Sequence, residues 1–437
     1  MNKLKLFLIF LFPLFEATAQ QHQQITLEQA IKLGLDNSKS LKISLAKADV
    51  ADAKYKQAID GVLPSVIFSA YYQRLSDIDE PLIKLPGFEP FSLFPVYVNN
   101  YSTRLSVNET IFSGFRLKYA EESQQLLQQA AKLDVNKDHD EIVYGIVQAY
   151  FNLYKIKESK KAVEENLEQI AEHVKESRNG EQQGTLTHND VLRWELQQSN
   201  IELAKLDLEN SESVANYNMN LMLGLNDIMI DPDSTSVQKL NEEKPLSDYM
   251  DRAASSRGDL QAGNLRMKAS EDYLKISQNS FMPQVSVGAS AYDMRPNPRV
   301  IPPEDVYTFT WDAGIFFTWD LVKLYSNKHM VAEAKANLTQ NQESLNLLSD
   351  AVKMEVNQNY LSWKQSRQKT EVLQKSIEQA EENYRITNSR YKNNFSVLSD
   401  LLDADNMLLN AKINFALSKA DSQVAYYRLM KSTGGIQ

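Results

Sequence analysis

Three acidic residues stand where their spacing could do chemistry. Asp400 and Asp403 lie within Ser399-Asp400-Leu401-Leu402-Asp403-Ala404 and, three residues apart, share one face of a helix. Asp190 holds the equivalent place in an earlier stretch, 210 residues before Asp400. Paired carboxylates can hydrolyse a glycoside if a cleft holds them. They can draw cations into a narrow passage, or simply cap a helix start. Other chemistry has little support. His22, His139, His173, His188 and His329 are scattered without metal-ligand spacing. Asp77, Asp79 and Glu80 lack the rest of a calcium loop, and Asp138, Asp140 and Glu141 read as a solvated helix face. Neither a phosphate-cradling glycine loop nor a nucleophile elbow occurs. The expectation is no enzyme and no cofactor. A formal charge of −10 argues against a nucleic-acid partner.

The acids belong to two copies of one unit. Arg390 to Gly434 reads as a tight polar turn (Lys392, Asn393, Asn394), then a long amphipathic helix stopped by Gly434-Gly435. Gly184 to Leu225 repeats it: at a constant offset of 210, Asp190 meets Asp400, Leu192 meets Leu402, Tyr217 meets Tyr427 and Gly224 meets Gly434. The unbroken spacing and the shared stopping glycine point to duplication. Upstream of each copy comes an apolar turn with proline, at Pro64 and at Pro283, then a strand, a proline-rich loop, a second strand and a very long helix. The expected division is residues 1–20 as a signal peptide, 21–229 as the first repeat and 230–437 as the second. Lys3 and Lys5, the apolar run Leu6 to Phe15 and Ala17-Thr18-Ala19 make the signal peptide. With no cysteine, disulfides and a lipidated cysteine are excluded.

The strands decide the physical class. They are expected at about 65–74, 101–110, 284–293 and 308–319. In the last, Phe309, Trp311, Ala313, Ile315, Phe317 and Trp319 face one way, and Thr308, Thr310, Asp312, Gly314 and Thr318 the other. An apolar face against a small or polar one, over about ten residues, is the pattern of a lipid-facing barrel strand around a wet lumen. A soluble four-stranded sheet resting on a core would give a similar pattern. Helices expected near 117–177 and 326–391 run about 60 residues, roughly 90 Å at 1.5 Å per residue, which favours an elongated architecture. Four strands cannot close a barrel, whose smallest form has about eight, and an open edge in lipid leaves backbone groups unpaired. Several chains would each have to contribute four. The alternative is an elongated coiled-coil structural or adhesion protein of the cell envelope.

Taken together, the duplicated strand–helix unit, the Pro64 and Pro283 strand entrances, and Tyr391 followed by Ser399 to Ala404 resemble the TolC family of outer-membrane efflux proteins, over essentially the whole mature chain. The resemblance implies a mainly helical fold with a small transmembrane β part. It implies a homotrimer whose twelve strands form one outer-membrane barrel and whose helices form a periplasmic tunnel. Such ducts serve tripartite efflux or type I secretion, docking to a periplasmic adaptor and an inner-membrane pump of RND, ABC or MFS type. Asp400 and Asp403 match the carboxylates ringing the tunnel's periplasmic constriction. Asp190 and Tyr391 match a pair that ties the inner helix hairpin to its neighbour. The chain departs from the family pattern at Ser396, where an arginine is expected.

Overall fold

The computed structural model describes residues 22–79, 82–92, 96–226, 228–238 and 242–436. The expected signal peptide lies outside them, as do Glu80, Pro81 and Pro95. In chain order the first half holds β1 (His22–Ile25), α1 (Leu27–Asn37), α2 (Lys39–Asp60), β2 (Ser65–Arg74), β3 (Leu82–Ile83), β4 (Phe91–Ser92), β5 (Asn99–Phe112), α3 (Arg116–Gln182) and α4 (His188–Leu223). The second holds β6 (Met229–Pro232), α5 (Thr235–Gln238), α6 (Leu246–Ser256), α7 (Gly258–Gln278), β7 (Gln284–Arg295), β8 (Thr308–Thr318), α8 (Lys323–Lys392) and α9 (Leu398–Ser432). No described helix is both long and apolar enough to cross a membrane.

The chain divides into two compact units. One comprises residues up to Ile43, Asn136–Arg257 and Ala351–Gln437; the other comprises Ser44–Val135 and Gly258–Asp350.

In the first unit, each half of the chain uses its stopping glycine in the same way. Gly224, at φ 69°, closes α4 against Asn37, where α1 ends; Asn37 donates to Leu223 O at 2.8 Å. A Cβ on Gly224 would come within 2.6 Å of Asn37 Cγ. Gly434, at φ 77°, closes α9 against Arg257, where a Cβ would meet the Arg257 Cα at 2.6 Å. This contact accounts for a break within the helix expected from Leu246 to Asn279. Arg257 is extended (φ −71°, ψ 117°), and its guanidinium holds Glu355 Oε2 at 2.5 Å and Ser432 O at 3.2 Å. The chain therefore restarts as α7. The sequence pattern also missed β1 and β6, a parallel pair four residues long. Their pairing is fixed from outside the strands: Tyr150 Oη donates to Ile25 O at 3.0 Å, and the Ile230 N–H donates to Asn216 Oδ1 at 2.9 Å.

In the second unit, four strands form one antiparallel sheet in the order β2-β5-β7-β8. The register pairs Val66 with Val107, Val107 with Ala289 and Ala289 with Ala313. Opposed residues share a face, so Val66, Phe68, Leu105, Val107, Val287, Ile315 and Trp311 fall on one side. On the other side lie Ser69, Arg104, Ser106, Asn108, Ser290 and Asp312. β5 runs past its expected end to Phe112 through a bulge between Thr110 and Phe112. Gly114 (φ 65°) then turns the chain so close to Met282 that a Cβ would sit 2.7 Å from its side chain.

Candidate functional site

In the first unit, the turns α3–α4 and α8–α9 are closed by matching backbone bonds. Thr185 N donates to Gly180 O at 2.9 Å and Phe395 N to Arg390 O at 2.8 Å. Gly184 N donates to Glu181 O and Asn394 N to Tyr391 O. The left-handed position is glycine in the first turn (Gly184, φ 77°) and Asn394 in the second (φ 63°), the side chain that tolerates this conformation best. Every one of these pairs keeps the 210-residue offset.

Asp400 and Asp403 are both exposed at the start of α9. Asp400 is the third helical residue, and its Oδ2 accepts from Ser396 Oγ at 2.8 Å. The residue standing where the family arginine was expected therefore holds the acid directly. Asp190 lies at the matching place on α4 and completes a capping box: its Oδ2 accepts from Thr187 N at 3.0 Å and from Thr187 Oγ1 at 2.7 Å. Tyr391 is brought near Asp190 without being joined to it. Burial pushes the Tyr391 hydroxyl up, the Trp194 indole beside it pulls it partly back, and the Asp190 charge adds to the rise. That hydroxyl is buried with no hydrogen-bond partner of good geometry among the described residues.

Beneath the turns, four helix segments share an apolar cluster that includes Ile170, Val174, Trp194, Ile201, Leu398 and Leu401. Asp405 is fully buried in this region and accepts from Asn166 Nδ2 with both carboxylate oxygens at 3.0 Å. Burial raises its pKa, more than Asn166, His173 and Lys412 lower it. His173 stacks on Trp194 with centroids 4.5 Å apart, and its Nε2 lies 3.1 Å from Tyr384 Oη. Burial lowers its pKa, while the nearby charges of Glu176 and Asp405 oppose that shift. Burial also pushes Tyr384 up to about 12. Sequence reasoning passed over this group. The available signal was Asp405 itself, an acid inside the apolar stripe of Leu401, Leu408 and Leu409.

In the second unit, the five residues expected to meet lipid are all exposed, Ile315 most of all at 76%. Phe309, Trp311, Ile315 and Phe317 alternate along β8 and share the apolar face. Trp319 follows the strand and donates its indole N–H to Phe281 O at 2.9 Å. Phe316 lies on the polar face, where its ring lies over Gly288.

Paired helical hairpins built twice, with a four-stranded sheet of one apolar and one polar face, define the architecture of an outer-membrane channel-tunnel. The Outer membrane efflux protein family matches residues 30–225 and 249–435, one span in each half. The chain belongs to that family. It is an outer-membrane efflux channel of the kind that serves tripartite efflux, with a periplasmic helical tunnel, and not an enzyme. Solved structures share the fold at low identity. VceC of Vibrio cholerae superposes with a TM-score of 0.77 at 16% identity, covering 94% of this chain and 96% of its own. The CmeC channel of Campylobacter jejuni gives 0.75 at 17% identity, over 93% and 85% of the two chains. The open state of the MtrE channel of Neisseria gonorrhoeae gives 0.76 at 17% identity, over 94% and 89%. No curated protein matches the chain in sequence.

Proposed function

We propose that three copies of this chain close one barrel and that the α8–α9 turn gates the tunnel at its periplasmic end. The observation that carries this is the sheet. β2 and β8 are its outer strands and do not pair with each other, yet one face is apolar along its middle, from Val66 and Phe68 through Leu105 and Val107 to Trp311 and Ile315, with Glu109, Asp293 and Arg295 toward its ends. An unpaired edge in lipid exposes backbone groups that cost several kcal/mol each. Pairing β8 of one copy with β2 of the next removes every edge. Phe309, Trp311, Ile315, Phe317 and Trp319 then meet lipid, and Thr310 and Asp312 line the lumen. Native mass spectrometry in mild detergent tests this: a trimer is expected, and a stable monomer or dimer refutes the closed barrel.

Three-fold repetition brings Asp400 and Asp403 of each copy around one entrance, where exposed carboxylates favour cations. Tyr391 is the second gate element, its unpartnered hydroxyl placed to donate to Asp190 when the turn tightens. A periplasmic adaptor docks to the hairpin ends, and an inner-membrane pump loads the duct. The two repeats, residues 21–229 and 230–437 after the signal peptide, supply one hairpin each. Planar-bilayer recording checks the gate. Asp400→Ala with Asp403→Ala should weaken cation selectivity and abolish block by multivalent cations from the periplasmic side; unchanged selectivity and block would leave these acids as helix-start residues only.

A further inference from the structure

The segment between β7 and β8 does not stand away from the sheet. Asn297 is 1% exposed, and its Nδ2 donates to Thr308 O at 2.9 Å and to Thr310 Oγ1 at 3.3 Å. The Arg299 N–H donates back to Asn297 Oδ1 at 3.0 Å, which turns the chain over the strand. Arg299 then reaches Asp312 on β8, Nη2 to Oδ2 at 2.5 Å, with its guanidinium 4.4 Å from the centroid of the Tyr292 ring. Arg104 of β5 approaches the same ring at 5.4 Å and donates to Ser290 Oγ at 3.2 Å. The register puts Thr310, Asp312, Tyr292, Ser290 and Arg104 all on the polar face.

The same segment continues across that face. Its Pro296, Pro298, Ile301 and Pro303 roof a cavity of about 360 Å³ whose floor includes Tyr71 and Gln73 of β2, Asn100 of β5 and Met294 of β7. These four residues also lie on the polar side, while Tyr101, at the cavity's rim, belongs to the apolar side. The segment therefore spans from β8 to β2, over a face that has to stay open if it lines a pore.

We propose that residues 296–303 form a strap across the lumen, and that the Arg299–Asp312 pair fixes the strap and sets the ion preference there. This rests on the reading that the polar face lines the lumen. The strap joins the strand ends opposite those that continue into α7 and α8, which places it at the outer mouth. A charge-assisted bond combined with a cation–π contact ties the loop to the polar face. The local charge is two guanidiniums against one carboxylate, so removal of either partner tips it in a known direction.

Single-channel recording of Arg299→Gln and Asp312→Asn tests this, because the two variants agree in one readout and oppose in the other. Both free the strap, so both should conduct more than the parent. Arg299→Gln bares Asp312 and should shift the reversal potential toward cations; Asp312→Asn bares Arg104 and Arg299 and should shift it toward anions. Parental conductance in both variants overturns the strap, and shifts in the same direction overturn the pair as the determinant of selectivity.

The chain has no cysteine, so introduced thiols report cleanly. Arg299→Cys with Asp312→Cys, bridged by a short cleavable bis-methanethiosulfonate, should hold conductance low until the bridge is reduced. Equal conductance before and after reduction counts against the strap. Ser286→Cys on the polar face and Ile315→Cys on the apolar face, treated with a charged membrane-impermeant thiol reagent, test the underlying reading separately. Block at Ser286→Cys alone upholds a polar lumen. Block at Ile315→Cys alone rejects the face assignment, and the strap with it. Block at Ser286→Cys alongside parental conductance in the Arg299 and Asp312 variants rejects the strap alone.

Discussion

The α3–α4 and α8–α9 hairpins are two copies of one design that differ in how firmly each is tied to itself. In the first, Thr187 caps the helix and Asp190 reciprocates, so the acid is committed to the backbone. At the matching place the second has Val397, with no side-chain cap, and Asp400 is held only by Ser396. Across the first hairpin, Arg178 clamps Glu195 Oε1 through Nε at 3.1 Å and Nη2 at 2.7 Å. The residues 210 further on are Asn388 and Asp405. Among the described residues the Asn388 Oδ1 is buried without a partner, and Asp405 turns inward to Asn166 of the first hairpin. The second hairpin therefore takes more of its order from its neighbour than from itself. A turn that depends on a neighbour is free to part from it, and it also carries the two exposed acids.

Breaking the shared core should have the largest effect. Leu401 is fully buried, and Leu401→Ala should cost about 2–5 kcal/mol. Val191, at the matching place on α4, is smaller, and Val191→Ala should cost less, about 1.6 kcal/mol or somewhat more for two lost methyl groups. Denaturant unfolding of detergent-solubilised protein, followed by helical circular dichroism, ranks the two. The reverse order would mean that α4, not α9, depends more on burial of its first turns.

The buried acid and histidine should show in the pH dependence of stability. The His173 pKa is depressed from 6.5, so the unfolded chain takes up the proton first and stability falls as pH drops through about 6.5. The Asp405 pKa is raised from 3.8, so the folded chain takes up the proton first and stability is regained at more acid pH, as that group protonates. His173→Gln should flatten the loss that begins as pH falls below about 6.5, and Asp405→Asn should raise the melting temperature at neutral pH and remove the acid-side recovery. Melting curves against pH decide it; an undiminished loss in His173→Gln would assign the transition to another group.

Moving the cap between hairpins sharpens the comparison. Thr187→Ala should destabilise by about 0.5–2 kcal/mol, whereas Val397→Thr should stabilise by about 1 kcal/mol by giving Asp400 a capping partner. Bilayer recordings should then show Val397→Thr open less often than the parent, because its turn has become like the first. More frequent opening would contradict the link between self-anchoring and gating.

Arg178→Asn should have the smallest effect, under about 1 kcal/mol, because the pair it breaks is exposed. Its value is diagnostic: it gives the first hairpin the side chain found in the second, and any rise in open probability would show that both hairpins take part in the gate.

The sequence by itself determined the elements whose signals are local and periodic. The alternation from Thr308 to Thr318 requires a strand with unlike faces, and the 210-residue offset requires two like hairpins; the structure has both. Gly224 and Gly434 were legible as helix stops because a left-handed residue is a property of one position. What each glycine closes against, Asn37 or Arg257, depends on chain brought in from far away, so the break between α6 and α7 carried no local mark. Asp400, Asp403 and Asp190 were found by spacing, and Tyr391 by the family resemblance. Their actual partners were not, because a carboxylate near a helix start has several donors within reach and only packing selects Ser396 for one and Thr187 for another. His173, Asn166 and Asp405 come from sequence positions up to 239 apart, and His173 and Asp405 acquire their shifted protonation from burial, a property no single segment possesses. The fold of Arg299 onto Asp312 was likewise decided in three dimensions: proline spacing announces an irregular loop, but only the face it packs on determines whether that loop leaves a pore clear or crosses it.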